Sequence, residues 1–324
     1  MESLYGLSAL VTGGSRGLGW LLARECALRG CAVTLVARDA GEVEAAAAAL
    51  RARTGRPVTG RVCDVRDRER VREVVARTAD DQAGLDLVLA NAGIIQVGPA
   101  EETGAEGFRD AMDTMFHGTL HTALETLPLL RTSPSGGRLA LVGSVGGLFG
   151  VPHLLAYSCA KSAVGTLAEG LRAEQAAHGV SVTAVHPGLT RTGSHLRAEF
   201  SGRAEREYAW FATLAGAPLL SMDAERAAER VVTGVARRRP RLVLTPAARL
   251  AATAHGLAPG LLTRANSLLA RALPRGRGTG GGRITGATAS ASDPRPRWLA
   301  ALSARNERAA DQFRERPAAN RPGG

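Results

Sequence analysis

At 324 residues, with 45% hydrophobic and 22% charged side chains, the chain is long enough for one large domain or two small ones around a buried core. Its formal net charge of +11 is uneven: residues 240–324 hold 14 Arg against the four acids Asp293, Glu307, Asp311 and Glu315, so the body is nearly neutral and the C-terminal stretch is basic. No run of about 20 apolar residues exists to span a membrane, and Cys26, Cys31, Cys63 and Cys159 have neither metal-ligand spacing nor the density of a disulfide scaffold.

The expectation is therefore a cytoplasmic protein with reduced thiols and no metal. LSALVTGG starts an apolar strand almost at once, without the charged segment and cleavage site of an export signal. In chain order, LSALVT (7–12) reads as a strand, 17–30 as a helix, CAVTLVAR (31–38) as a strand and 41–54 as an Ala-rich helix closed by Gly55. PVTGRVCDV (57–65) is a strand, 66–83 an amphipathic helix, LDLVLANAG (85–93) a strand into a turn, and 104–130 a helix. GRLALVGS (137–144) is a strand, 154–179 a long helix and VSVTAVHPG (180–188) a strand.

Residues 189–220, with Phe200, Tyr208, Trp210 and Phe211, read as a helical insertion that covers a ligand. A helix over 222–239, a strand RLVLTP (241–246) and a helical stretch over 247–273 follow, the last with an apolar stripe at Leu261, Leu262, Leu268, Leu269 and Leu273. From Arg275 the chain turns Gly-, Pro-, Arg- and Ser-rich and reads as a disordered basic tail, with a short helix over 298–313. Strand–helix alternation with near-continuous apolar strands predicts an α/β fold: a Rossmann-like doubly wound parallel sheet in three α/β/α layers. The expected organisation is a single catalytic domain over 1–245, a helical extension over 246–274 and the tail over 275–324. Ligands of such sheets bind beyond the strand carboxyl ends, where Gly13, Arg38, Asp64, Asn91, Ser144 and Pro187 fall.

TGGSRGLG (12–19) joins the first strand to the first helix. Its glycines allow a tight turn and close approach of a pyrophosphate, and the helix N-terminus offers free N–H groups. An NAD site usually places a carboxylate after the second strand. Here VARD (36–39) puts Arg38 there, and Arg16 lies in the turn. Two guanidinium groups suit a 2′-phosphate, so the expected cofactor is NADP(H) rather than NAD(H). Asp39, turned toward the ribose, would reverse that preference.

Lys161 is the only lysine among 41 basic residues, and it lies four residues after Tyr157 on a predicted helix, on the same face. A phenol titrates near 10 and is a poor acid or base at neutral pH unless an ammonium favours its ionised form. A buried tyrosine beside a snorkelling lysine is the plain structural alternative.

The ordered set TGGSRGLG, CDV (63–65), NAG (91–93), Ser144, YSCAK (157–161) and PGLTRT (187–192) resembles the short-chain dehydrogenase/reductase family over about residues 5–245. The resemblance implies an NAD(P)-dependent oxidoreductase interconverting a ketone or aldehyde and an alcohol. It implies that Gly13, Gly17 and Gly19, with Ser15, Arg16 and Leu18, form the dinucleotide turn. Asp64 and Val65 would meet the adenine; Asn91, Ala92 and Gly93 would floor the site; Pro187, Gly188, Leu189 and Thr192 would contact the nicotinamide end. Tyr157 would exchange a proton with the substrate oxygen that Ser144 holds, and Lys161 would bind the nicotinamide ribose and lower the Tyr157 pKa. One departure is MFHG (115–118), where Met115 replaces the family's usual Asn of a proton relay.

Ser144, Val145, Phe149, Leu154 and Tyr157 are the expected substrate pocket, with Val151, Phe200, Trp210 and Phe211 as further walls. Their apolar character points to a hydrophobic small-molecule carbonyl or alcohol. A homodimer or homotetramer is expected, and no nucleic-acid partner. Contact of the C-terminal segment with a membrane is the less favoured reading of the Leu stripe, against packing on its own domain or a second subunit. An NADP-binding regulatory or partner-binding protein with little turnover is the alternative function.

Overall fold

The computed structural model describes residues 3–217, 220–275, 282–292, 295 and 304–316. Through residue 90 the chain alternates β1 (Ser8–Thr12), α1 (Gly17–Leu28), β2 (Ala32–Ala37), α2 (Ala40–Thr54), β3 (Val58–Val62), α3 (Arg68–Gln82) and β4 (Leu87–Ala90). The short β5 (Gln96–Val97), α4 (Ala100–Ala111), a π-helical turn Met112–His117 and α5 (Gly118–Arg131) follow, then β6 (Arg138–Val142), α6 (Leu155–Gln175) and β7 (Ser181–His186). Next come β8 (Leu189–Arg191), β9 (Glu199–Phe200), α7 (Ala204–Gly216), β10 (Ser221–Asp223), α8 (Ala224–Ala236), β11 (Arg241–Val243), α9 (Pro246–Leu257) and α10 (Pro259–Ala270). The last described elements are β12 (Ile284–Thr285), α11 (Gly286–Ala289) and α12 (Ala304–Gln312).

Seven strands form one sheet in the order β11-β7-β6-β4-β1-β2-β3, every neighbouring pair parallel. The order reverses at β1, so the clefts beyond β1 and β4 open where a doubly wound sheet takes its ligand. β1 shows why its strands are apolar throughout. Ala9 and Val11 join the core under α1, α2 and α8, while Leu10 joins the opposite core under α3, α5 and α6. Period-two alternation thus feeds two buried faces at once.

Local chemistry sets the helix ends that point at the cleft. Asp39 accepts the Glu42 N–H at 2.7 Å and Asp67 accepts the Arg70 N–H at 3.1 Å, each an N-cap worth about 1 kcal/mol. Gly55 closes α2 at φ 64°, a left-handed value that costs glycine nothing.

The C-terminal third departs from expectation in three ways. The single helical insertion expected over 189–220 is a composite of β8, β9 and α7, and β10 pairs with β8 in parallel beside it. The stretch 247–273 is two helices, because Pro259 cannot continue α9. That hairpin touches the body through Asn266, whose side chain donates to the Gly150 carbonyl at 2.9 Å, and through His255 against Phe149. The stripe packs on the chain's own domain only in part: Leu261, Leu268 and Leu269 are 70%, 62% and 61% exposed, whereas Leu262 and Leu273 are half-buried. Finally, the expected disorder after 275 does not hold for residues 282–292 or 304–316. β12 pairs antiparallel with β9, and Ala309 and Phe313 enter the core beside α1 and α8. The expected helix over 298–313 is present from 304 to 312, and residues 298–303 lie outside the described residues. No helix among the described residues is long and apolar enough to cross a membrane.

Candidate active site

A cavity of about 850 Å³ runs along the carboxyl ends of β1, β2, β4, β6 and β7. Of the expected cofactor residues, Gly13, Ser15, Arg16, Leu18, Gly19, Arg38, Asp64, Val65, Asn91, Ala92, Gly93, Tyr157, Lys161, Pro187, Gly188, Leu189 and Thr192 line it. Gly17 does not, because the chain's own Glu315 covers it.

The turn after β1 is built for close approach. Gly13 adopts φ 65°, and a side chain there would press on Ala92 Cα at 2.9 Å. A methyl on Gly19 would collide with the Gly13 carbonyl. Asn91 braces the turn by donating to the Thr12 carbonyl at 3.1 Å, while Thr12 Oγ1 accepts the N–H groups of Asn91 and Ala92 at 3.0 and 3.1 Å. Asn91 thus holds the scaffold, and Thr12 is a partner the motif reading missed. A glycine cradle opening a helix, beside a cleft of this volume, fits a dinucleotide.

At the adenine end the charges are partly committed. Arg16 pairs with Glu42 at 2.5 Å and stands 3.5 Å from Glu315, so it is not the unengaged guanidinium the sequence implied. Burial works to raise the Glu42 carboxyl, but Arg16 and Arg197 outweigh it and hold the group below its ordinary value. Asp39 caps α2. Arg38 is exposed, with no hydrogen bond to another described residue. Asp64 is gripped by the Arg66 guanidinium at 2.6 and 2.9 Å, which keeps its carboxyl low against the opposing effect of burial.

At the other end Ser144, Tyr157 and Lys161 converge. Ser144 ends the β6 loop and takes the Gly146 N–H on its hydroxyl at 3.1 Å. His186, buried at the end of β7, fixes that loop with its ring Nδ1 3.2 Å from the Ser144 carbonyl. A methyl on Gly146 would touch both Ser144 Oγ and the Tyr157 ring at 3.6 Å, so the two hydroxyl-bearing side chains face one point. Lys161 is 4% exposed; its ammonium donates to the Val142 carbonyl at 2.7 Å and lies 5.9 Å from the Tyr157 ring centre. Burial brings its pKa down to about 8. The Tyr157 phenol is raised by burial and drawn back by Ser144. The expected lowering by the ammonium is not seen here, because Lys161 is turned to the carbonyl.

Met115 is fully buried in the π-helical turn with Ala111, Ala156 and Ala160. Its side chain and Lys161 Nζ both flank Gly93. Neither nearby histidine substitutes for a relay: His117 pairs with Asp113 at 3.1 Å on the surface, and His121 meets the Val65 carbonyl at 3.0 Å. Met115→Asn is expected to leave kcat unchanged or raise it while lowering the melting temperature, since a polar group enters an apolar niche at a cost of about 1–3 kcal/mol. Steady-state kinetics and a thermal melt check both parts.

Val145, Val151, Leu154, Trp210, Phe211 and Leu214 form the apolar wall near Tyr157. Two expected wall residues lie elsewhere. Phe149 turns to His255 of α9 at 6.0 Å, and Phe200 is wholly buried behind the wall in contact with Tyr208 and Phe211. Trp210 is anchored from behind: its indole N–H donates to the buried Glu207 at 2.7 Å, and His153 meets the same carboxylate at 2.9 Å. Among the described residues no group of three or more His, Cys, Asp or Glu side chains is placed to hold a metal ion.

A family model described as short chain dehydrogenase matches residues 8–199, more than half of the chain. A tropinone reductase homolog of Arabidopsis thaliana is 34% identical over 194 residues, covering 59% of this chain and 71% of the relative. An uncharacterized oxidoreductase of Staphylococcus saprophyticus is 30% identical over 192 residues, 59% of this chain and 82% of its own. A short chain dehydrogenase from Mycobacterium paratuberculosis, solved bound to NAD, superposes with a TM-score of 0.66 at 25% identity, covering 75% of this chain and 97% of that one. One from Burkholderia cenocepacia, in complex with NADP, shares the fold with a TM-score of 0.64 at 24% identity, over 76% and 99%. With the matched model and the doubly wound sheet in agreement, the chain belongs to the short-chain dehydrogenase/reductase family, enzymes that act on CH–OH and C=O groups with a nicotinamide dinucleotide.

Proposed function

We propose that this enzyme uses NADP(H) to interconvert a bulky hydrophobic ketone or aldehyde and its alcohol, with Tyr157 as general acid and base. The observation that carries the reading is the convergence of Ser144, Tyr157 and Lys161 under an apolar wall, in the same cavity as the glycine turn. The dinucleotide, when bound, supplies or accepts the hydride at the carbonyl carbon. In reduction, the Tyr157 hydroxyl gives its proton to the substrate oxygen as negative charge develops there. Ser144 holds that oxygen, and the Lys161 ammonium, once turned from the Val142 carbonyl toward Tyr157, stabilises the phenolate left behind. Trp210, Phe211 and Leu214 exclude water from the transfer.

The preference for NADP(H) rests on Arg38, since Asp39 is spent on the helix cap. The same reading takes 1–245 as the catalytic unit in a cytoplasmic homodimer or homotetramer. The test is the loss of nicotinamide absorbance on mixing the protein with NADPH and a panel of aliphatic, cyclic and aromatic ketones. Turnover of bulky apolar members is expected. Tight NADPH binding with no turnover of any member would refute it. Arg38→Ala should weaken NADPH binding about 10- to 100-fold and leave NADH binding nearly unchanged, the loss of one charge-assisted phosphate contact. Fluorescence titration with both nucleotides checks this.

A further inference from the structure

Residues 304–316 return over the cofactor cleft. Asn306, 1% exposed, anchors the segment: its side-chain oxygen accepts the Gly193 N–H at 2.9 Å and its amide nitrogen lies 3.0 Å from His195 Nδ1. The other ring nitrogen of His195 meets Glu307 at 2.9 Å. Phe313 sits in the core beside α1, and its carbonyl accepts the Gly17 N–H at 2.8 Å. That N–H opens α1 and is one of the donors a helix start leaves for an anion. The Glu315 carboxylate lies directly against Gly17, where a methyl group would collide with Oε1. The Arg197 guanidinium ties down the Glu315 carbonyl at 2.8 Å, and Arg16 faces the carboxylate at 3.5 Å.

We propose that residues 304–316 are a tethered competitor for the dinucleotide, in which Glu315 and the Phe313 carbonyl occupy the phosphate-binding turn and the cofactor enters only as the segment leaves. Two anions cannot share that turn, and one of its N–H donors is already taken. The closed arrangement is poised rather than locked. Burial pushes the Glu315 carboxyl up to about 7 despite Arg16 and Arg197, with Glu42 adding to the rise, so water and phosphate compete for the position on favourable terms.

The proposal rests on the cleft taking NADP(H), and binding without catalysis separates the two. With full-length protein, Glu315→Ala and Asn306→Ala should each tighten NADPH about tenfold, because the apparent Kd scales inversely with the open fraction. Asn306 makes its contacts at Gly193 and His195, so its effect reads release of the segment and not removal of a charge at the turn. Hydrogen exchange should rise across 304–316 and fall across 13–19 when NADPH binds. Weaker or unchanged binding by both variants, or protection of 304–316 by NADPH, would overturn the proposal and make the segment a lid of the loaded site. Failure of wild type and both variants to bind NADPH or NADH would instead defeat the reading of the cleft itself.

Discussion

Tyr157→Phe is expected to lower kcat by about 10²- to 10⁴-fold, the range over which a positioned proton donor contributes, and to leave the Kd for NADPH within about twofold. The substitution removes one oxygen and keeps the ring that packs with Ala156, Ala160 and Met115, so folding is preserved. Because the raised phenol keeps its proton through neutral pH, the wild type needs no prior ionisation for reduction. The reverse reaction must first make a phenolate and should therefore gain rate as pH rises. Stopped-flow turnover beside an equilibrium titration separates chemistry from binding. Full activity in the variant would remove Tyr157 from the mechanism.

Lys161→Arg is the second large effect, with a loss of about 100-fold in kcat/KM, of the size that misplacing a catalytic group produces. The charge is kept, but a planar guanidinium does not fit the space that an ammonium occupies under the Val142 carbonyl. An exposed exchange such as Arg77→Lys should change neither rate nor stability beyond about 0.5 kcal/mol. The pH profile gives an independent reading. With its pKa lowered to about 8, Lys161 is charged below that value and neutral above it. The kcat/KM for NADPH, which reports groups of the free enzyme, should fall as pH rises through about 8 in the wild type. In Lys161→Arg this limb should disappear, because guanidinium keeps its proton. A limb that persists unchanged would assign the ionisation to another group.

The catalytic half of the molecule was readable because its physics is local. Fully apolar strands, glycine-closed helices and a glycine turn between strand and helix each leave a mark within a few residues, and from β1 to β7 every expected element is present within a few residues of its predicted ends. The two-residue strands β5, β9 and β12 carry too little pattern to see. The π-helical turn at Met115 shifts a hydrogen-bond register without changing composition, so nothing in MDTMFH marks it. Residue type alone points Phe149 and Phe200 to the pocket, whereas α9 and the α7 cluster decide which way they turn. Pro259 was a legible break that the Leu stripe obscured. The C-terminal segment was missed for a deeper reason. Its Gly-, Pro- and Arg-rich composition is that of a disordered chain, and the few residues that fix it, Asn306, Phe313 and Glu315, find their partners more than a hundred residues away.

A lone, buried lysine also makes the catalytic site chemically addressable. Reductive methylation with isotope-labelled formaldehyde would place a label on one side chain of the whole molecule, since every other basic residue is Arg or His. Apart from the N-terminal α-amine, which takes the label too, the methyl resonance of Lys161 would then stand alone. Its shift with pH would trace the ammonium titration, and its response to NADPH would report arrival of the ribose. At 4% exposure the reagent reaches it only when the cleft opens, so the labelling rate itself becomes a clock for that opening.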